Sequence, residues 1–227
     1  MIPARSDAVT LVAFCRRPGP GVGKRRLAPE LGEAATLTIS QLLLATTLED
    51  LVAWEGPRVL SPAESLDEPW ARSLPVPLDD VVPQPDGNLG ERLGAVDRLL
   101  RHRGHTRLLY IGSDAPVLAP ADYALAAAAL TTHDVVLGPA LDGGVTFMGS
   151  RRAWPDLTGL PWSGNRLHAA LQASCAAAGL TVRNLEPRYD VDVPADLYRL
   201  CGDIAADSRP ARRALYRALA SLGYCRA

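Results

Sequence analysis

"VTLVAFCRRPGPGVGKRRLAP", residues 9–29, is the stretch on which the fold turns. The seven-residue run 9–15, apolar but for Thr10, reads as a buried strand. A glycine-rich segment with Arg16, Arg17, Lys24, Arg25 and Arg26 follows. A strand that runs into glycines and then Gly23-Lys24 raises the question of a P-loop. That motif needs a glycine five positions before Gly23 and a hydroxyl residue after the lysine, because the hydroxyl holds magnesium. Here those positions are Pro18 and Arg25, so the P-loop is excluded. A looser cradle survives, in which glycines bring backbone N–H groups close to an anion and basic side chains supply charge. A solvated basic turn is the competing reading.

Outward from this stretch, strands and helices alternate. A helix is expected over 32–54, a short strand at 58–60, and weak structure over the proline- and acid-rich 62–86. A helix starts after Asn88 and stops at Gly104. Strand 107–111, helix 120–130, strands 133–138 and 145–149, helix 165–178, strand 181–185 and helix 194–200 complete the alternation. The tail, 209–223, reads as an amphipathic helix with solvated arginines. The pattern implies one α/β domain over 1–227 with a mainly parallel sheet, a core at 9–200 and a helical tail at 201–227. Such sheets bind ligands beyond the carboxyl ends of their strands.

The totals narrow the function. The chain has 227 residues, 48% of them hydrophobic, and a net charge of -1. Near-neutrality argues against general nucleic-acid binding, and the local basic cluster points to a small anionic ligand. No apolar run reaches the ~20 residues of a membrane span. The start, MIPARSDAVT, lacks a signal-peptide core. Cys15, Cys175, Cys201 and Cys225 have no CxxC spacing and read as thiols in a reducing cytoplasm.

Four more post-strand loops carry chemistry. In Gln84–Arg92, Asn88 and Glu91 have capping-box spacing, while Gly87 and Gly90 would let backbone lie against a ligand. In IGSDAP, Asp114 ends a central strand, six residues from the next helix start and too far to cap it. A carboxylate there suits a hard cation such as magnesium, which takes one or two carboxylates plus substrate phosphates. Asp142-Gly143-Gly144 is either a hairpin turn or a close approach to substrate. In Tyr189-Asp190-Val191-Asp192, Asp190 and Asp192 point to one side. They either suit the dipole of the following helix or supply the second carboxylate of a metal site.

GKRRLAPELG, QPDGNLGERL, IGSDAPVL, VVLGPALDGG, PWS and YDVDVPADL occur in this order. With them the chain resembles the bacterial GT-A-fold, nucleotide-diphospho-sugar-transferase-like family, from about residue 9 to 200. The KRRLAP stretch and the VDVP ending also resemble nucleotidyltransferases of that superfamily, including 2-phospholactate guanylyltransferase and sugar-acid cytidylyltransferases. The resemblance implies a GT-A (Rossmann-like) fold and a transferase dependent on Mg2+ or Mn2+. It implies a nucleotide or nucleotide-sugar substrate and a small-molecule acceptor, and leaves a homodimer open. It implies metal ligation by Asp114 and Asp192. Arg16, Lys24, Arg26, Gly87, Asn88, Gly90 and Ser113 become nucleotide contacts. Asp142, Gly143, Gly144, Trp162, Ser163 and Asp190 fall on the acceptor side, with Asp142 and Lys24 as catalytic groups. The chain departs from the family pattern at Arg25, where a Thr is usual, at Val145-Thr146, where aromatics are usual, and at Gly164, which replaces the Thr of PWST. The last two changes leave acceptor identity open. Glycosyl transfer is narrowly preferred to nucleotidyl transfer, and a non-catalytic nucleotide-binding protein is the reading from another class.

Overall fold

The computed structural model describes residues 8–225. The signal-peptide reading falls largely on residues 1–7, which lie outside that range. Seven strands form one sheet: β1 (Val9–Cys15), β2 (Arg58–Pro62), β3 (Asp80–Val81), β4 (Arg107–Ile111), β5 (Val135–Pro139), β6 (Val145–Ser150) and β7 (Val182–Asn184). Their order is β3-β2-β1-β4-β6-β5-β7. Only β6 runs against the others, pairing antiparallel with both β4 and β5. The helices are α1 (Ala28–Leu31), α2 (Glu33–Ala53), α3 (Glu68–Ser73), α4 (Leu89–His102), α5 (Pro120–Thr132), α6 (Leu167–Ala177), α7 (Pro194–Asp203) and α8 (Pro210–Ser221). This is the expected α/β fold with a mainly parallel sheet flanked by helices.

Residues alternate across a strand, so each central strand feeds two cores. Leu11, Ala13, Leu109 and Ile111 pack with Leu44, Leu51, Ala71, Ala126 and Leu130 of α2, α3 and α5 on one face. Val12, Leu108 and Tyr110 pack with Leu93, Val96, Leu100, Leu171 and Cys175 of α4 and α6 on the other. Burial on both faces is why 9–15 and 107–111 read as continuous apolar runs. A third cluster joins Leu27, Ile39 and Leu43 to Val191, Leu197, Leu200, Leu215 and Leu219. It locks the end of the basic loop, the YDVDVP segment, α7 and α8 together. Each such leucine contributes on the order of 1.5–3 kcal/mol.

Three expectations change. Residues 62–86 hold a 3-10 turn (Ser65–Asp67), α3 and β3 rather than weak structure. The C-terminal arginines are not all solvated: Arg212 is 0% exposed. Its guanidinium bonds Glu49 at 2.8 Å, Asp50 at 2.6 Å and the Thr46 carbonyl at 2.6 Å. The tail thus reaches α2, because α8 carries a cation that the acidic end of α2 needs. Cys201 and Cys225 form a disulfide, Cα–Cα 5.4 Å apart, where thiols were expected. This removes one ground for the cytoplasmic reading. Cys15 and Cys175 stay as thiols, and burial pushes them up to about 12 and about 11. Among the described residues, no helix is long and apolar enough to cross a membrane.

Candidate functional site

Strand order reverses between β1 and β4: the chain moves from β1 to β2 and β3 on one side, then returns to β4 on the other. The loops that leave these two strands therefore part and open a crevice. Loop 16–27 borders it first. Gly21, Gly23 and Lys24 all have positive φ (69°, 70° and 44°), and among the described residues Lys24 is the one non-glycine with that sign. This backbone coils the loop so that the Lys24 side chain turns inward, where it is 14% exposed. Its Nζ donates to Asp114 Oδ2 at 3.0 Å and to the Val191 carbonyl. A left-handed lysine is a costly conformation that its surroundings must hold, and such residues cluster at functional sites.

Asp114 lies in the loop after β4. The Val191 amide donates to its carbonyl at 2.8 Å, which stitches the YDVDVP segment beside it. Val191 is buried in the third cluster, so Asp190 and Asp192 flank it on the opposite side. Asp196 organises the turn: its Oδ2 accepts from the amides of Asp192 and Val193, both at 2.8 Å. The Asp192 carboxylate accepts from Arg26 at 2.5 Å. Arg16, Lys24, Ser113, Asp114 and Asp192 line one cavity of about 190 Å³. A larger hollow of about 560 Å³, with Arg25, Val22 and Glu33, receives no carboxylate from a strand end. The smaller cavity is where the chemistry converges.

Of the residues that the sequence reading put on the acceptor side, Asp142 and Asp190 lie close enough to interact electrostatically. Beyond β7 the chain stays paired to the end of β5, through an Ala140–Arg188 bridge and a 2.9 Å bond from the Leu141 amide to the Arg188 carbonyl. The Arg188 guanidinium clasps Asp122 of α5 at 2.8 Å. Asp190 is thereby carried toward Asp142. Burial, followed by the charges of Asp114 and Asp142, pushes the Asp190 carboxyl up to about 6, while Lys24 opposes the shift. Sequence reading put Asp190 on this side but missed that it is the perturbed member. Proximity to Asp142 depends on β5–β7 pairing, and no local signal announces that.

Other residues have clear structural tasks. Asn88 and Glu91 form the capping box, with bonds of 3.0 and 2.7 Å. A Cβ on Gly90 would sit 2.1 Å from the Leu157 carbonyl and 2.6 Å from Trp162 Nε1, so this glycine lets α4 meet the 157–162 segment. Trp162 Nε1 in turn donates to the Leu157 carbonyl at 2.9 Å. Gly87 (φ 124°) turns the chain into the cap. Asp142 Oδ1 accepts from the Gly144 amide at 2.8 Å, a turn bond, and a Cβ on Gly143 would meet the Asn165 carbonyl at 1.9 Å. Gly87, Asn88 and Gly90 do not line the 190 Å³ cavity. Ser163 is exposed.

A model of the bacterial family described as "Uncharacterized protein conserved in bacteria (DUF2064)" matches residues 38–164, more than half of the chain. The chain belongs to this family. The DUF2064 match runs from α2 past β6 and includes Asp114 and Asp142, while loop 16–27 and Asp190–Asp192 lie outside it. Among solved structures, the chain is similar to a protein of Desulfovibrio desulfuricans G20 that is provisionally assigned as a nucleotide-diphospho-sugar transferase. Identity is 22%, coverage is 95% of each chain and the TM-score is 0.82. A cytidylyltransferase of Leptospira borgpetersenii serovar Hardjo-bovis shares 12% identity over 95% of this chain and 94% of its own, with a TM-score of 0.53. CMP:2-keto-3-deoxy-manno-octonic acid synthetase, solved with CTP, shares 14% identity over 88% of this chain and 100% of its own, at 0.51. At these identities the likeness establishes that the DUF2064 chain has their fold. A search of curated proteins finds no match.

Among the described residues no three His, Cys, Asp or Glu side chains are arranged to hold a metal. The donor set suits a different kind of site. Asp114 and Asp192 each already hold a cation, the Lys24 ammonium and the Arg26 guanidinium. Two carboxylates fit a hard ion whose remaining ligands are water and substrate phosphate.

Proposed function

We propose that this DUF2064 protein is a metal-dependent transferase acting on an activated nucleotide, and that it transfers a glycosyl group from a nucleotide-diphospho-sugar to a small acceptor. One observation carries the reading: Lys24, Arg26, Asp114 and Asp192 meet at the β1/β4 switch point. Lys24 and Arg26, with Arg16 and Ser113, would bind the phosphates and neutralise charge as it grows on the leaving diphosphate. Magnesium or manganese, held by Asp114 and Asp192, would supply Lewis-acid neutralisation of the phosphate oxygens. On the acceptor side, Asp142 and Asp190 offer carboxylates that take the proton of the acceptor hydroxyl. Asp190, pushed up to about 6, is ionised at neutral pH yet basic enough for that task. Trp162, Ser163, Gly143 and Gly144 border the acceptor.

The Desulfovibrio protein's assignment supports glycosyl transfer, because its TM-score far exceeds those of the cytidylyltransferases. The number of cations in loop 16–27 favours a second reading, nucleotidyl transfer from a triphosphate with release of pyrophosphate. A panel of nucleotide-diphospho-sugars and nucleoside triphosphates, screened by thermal shift with and without magnesium and then assayed with the hits for released product, separates them. Release of a nucleoside diphosphate supports the first reading, and release of pyrophosphate the second. Tight binding without release of either identifies a non-catalytic nucleotide-binding protein. Once a substrate is found, Asp142→Asn should suppress turnover and leave nucleotide affinity nearly unchanged. Full turnover would return Asp142 to a turn residue.

A further inference from the structure

Two of the cations offered to phosphate, Lys24 and Arg26, are each paired with one of the two carboxylates offered to a metal. Lys24 is held by Asp114 and by the Val191 carbonyl, and Arg26 is held by Asp192. We infer that the site is a double ion-pair lock that admits a polyphosphate only as its divalent-metal chelate, trading Lys24–Asp114 and Arg26–Asp192 for two cation–phosphate and two carboxylate–metal contacts. The inference rests on the reading of Asp114 and Asp192 as metal ligands.

The electrostatics follow from the pairing. A metal-free polyphosphate that draws Lys24 and Arg26 away leaves two carboxylates uncompensated beside an anion, and like charges at such range repel. A bare divalent ion meets the converse obstacle: it must displace the Lys24 ammonium, which is held on two oxygens in a left-handed loop. The chelate satisfies all four groups in one exchange. The two halves of the lock differ in strength. Lys24 and Asp114 side chains are 14% and 37% exposed, whereas Arg26 and Asp192 are 70% and 46% exposed. Water screens the second pair more, so the Lys24–Asp114 half dominates.

Titration calorimetry with inorganic tripolyphosphate tests this without knowledge of the base or sugar. In EDTA, Asp114→Asn should bind tripolyphosphate about tenfold tighter than wild type, and Asp192→Asn about threefold tighter. In excess magnesium the order should reverse, with wild type tightest. A second arm uses manganese alone, read by electron paramagnetic resonance of the free ion: Lys24→Gln should bind manganese several-fold tighter than wild type, because Asp114 is released. If wild type binds the magnesium chelate but neither Asn variant gains affinity in EDTA, the lock is overturned and the proposed function stands. If Lys24→Gln binds manganese no better than wild type, the Lys24 half is overturned by itself. If wild type fails to bind tripolyphosphate with magnesium, the proposed phosphate site has failed, and the lock with it.

Discussion

Two pairs of arginine and aspartate, built from the same groups, sit in opposite settings. Arg212 and Asp50 have side chains 0% and 7% exposed, 2.6 Å apart, with Arg209, Glu49 and Tyr123 around them. Arg26 and Asp192 are 70% and 46% exposed, 2.5 Å apart, with a cavity beside them. The first pair cannot open without stranding a charge in the core, so it holds α8 to α2. The second can open into water at little cost, which suits a site that must exchange partners. Burial, rather than the identity of the residues, separates a fastener from a binding group.

The largest effect should come from breaking the buried pair. Arg212→Met leaves Glu49 without its cation and Asp50 with Arg209 alone, and the loss should be about 3–5 kcal/mol. Urea unfolding measures it, and a loss under 1 kcal/mol would erase the contrast. The disulfide fastens the same region. Its bridge spans a sequence separation of 24 residues, so Cys201→Ser should cost about 3 kcal/mol in oxidised protein. Reductant should bring wild type to the level of the variant.

Asp190 lies between the extremes and gives a pH test. Its folded carboxyl is raised to about 6, mainly by burial, from 3.8. The folded state therefore binds the proton more tightly than the unfolded chain, and the metal-free protein gains stability as pH falls from above 6 toward 4. Above that window the ionised group is a burden. Asp190→Asn should then stabilise the metal-free protein at pH 8 by about 1–2 kcal/mol, a figure already reduced for the part of the side chain that water screens. The gain should vanish at pH 4. Denaturation at both pH values checks this, and an equal gain at both would remove the ionised Asp190 carboxylate as its cause.

The smallest effect on stability belongs to the exposed pair. Arg26→Ala should change unfolding free energy by under about 0.5 kcal/mol. Yet Arg26→Ala and Lys24→Ala should each weaken nucleotide binding by about 1–3 kcal/mol. Arg213→Ala, on the exposed face of α8, should not. Equal nucleotide affinity in all three variants would make loop 16–27 a solvated turn.

What could be read from the residues follows the same division between local and distant causes. β1 and β4 were legible to the residue because both faces are buried, so apolar runs mark their ends. The capping box at Asn88 was legible because both partners lie within four residues. α3 and β3 were missed because six and two residues among prolines carry no periodicity. The burial of Arg212 depends on Glu49 and Asp50, more than 160 residues away, and the Cys201–Cys225 pairing on the return of α8. In the site, the spacing of loop 16–27 and of YDVDVP exposed the candidate groups. That Lys24 reaches Asp114, and that the charge of Asp142 is felt by Asp190, are products of sheet order.

The reversed strand β6 has a consequence for how this scaffold can vary. Because it runs against its neighbours, the segment 140–144 is both the exit of β5 and the entrance of β6, and it opens on the ligand edge. The turn that follows β6, at 151–154, opens on the opposite edge. A longer insert at 140–144 would therefore redraw the mouth of the site, while one of equal length at 151–154 would leave it untouched. Segments that reshape the proposed site can be grafted at one end of this hairpin, and tags or reporter peptides at the other.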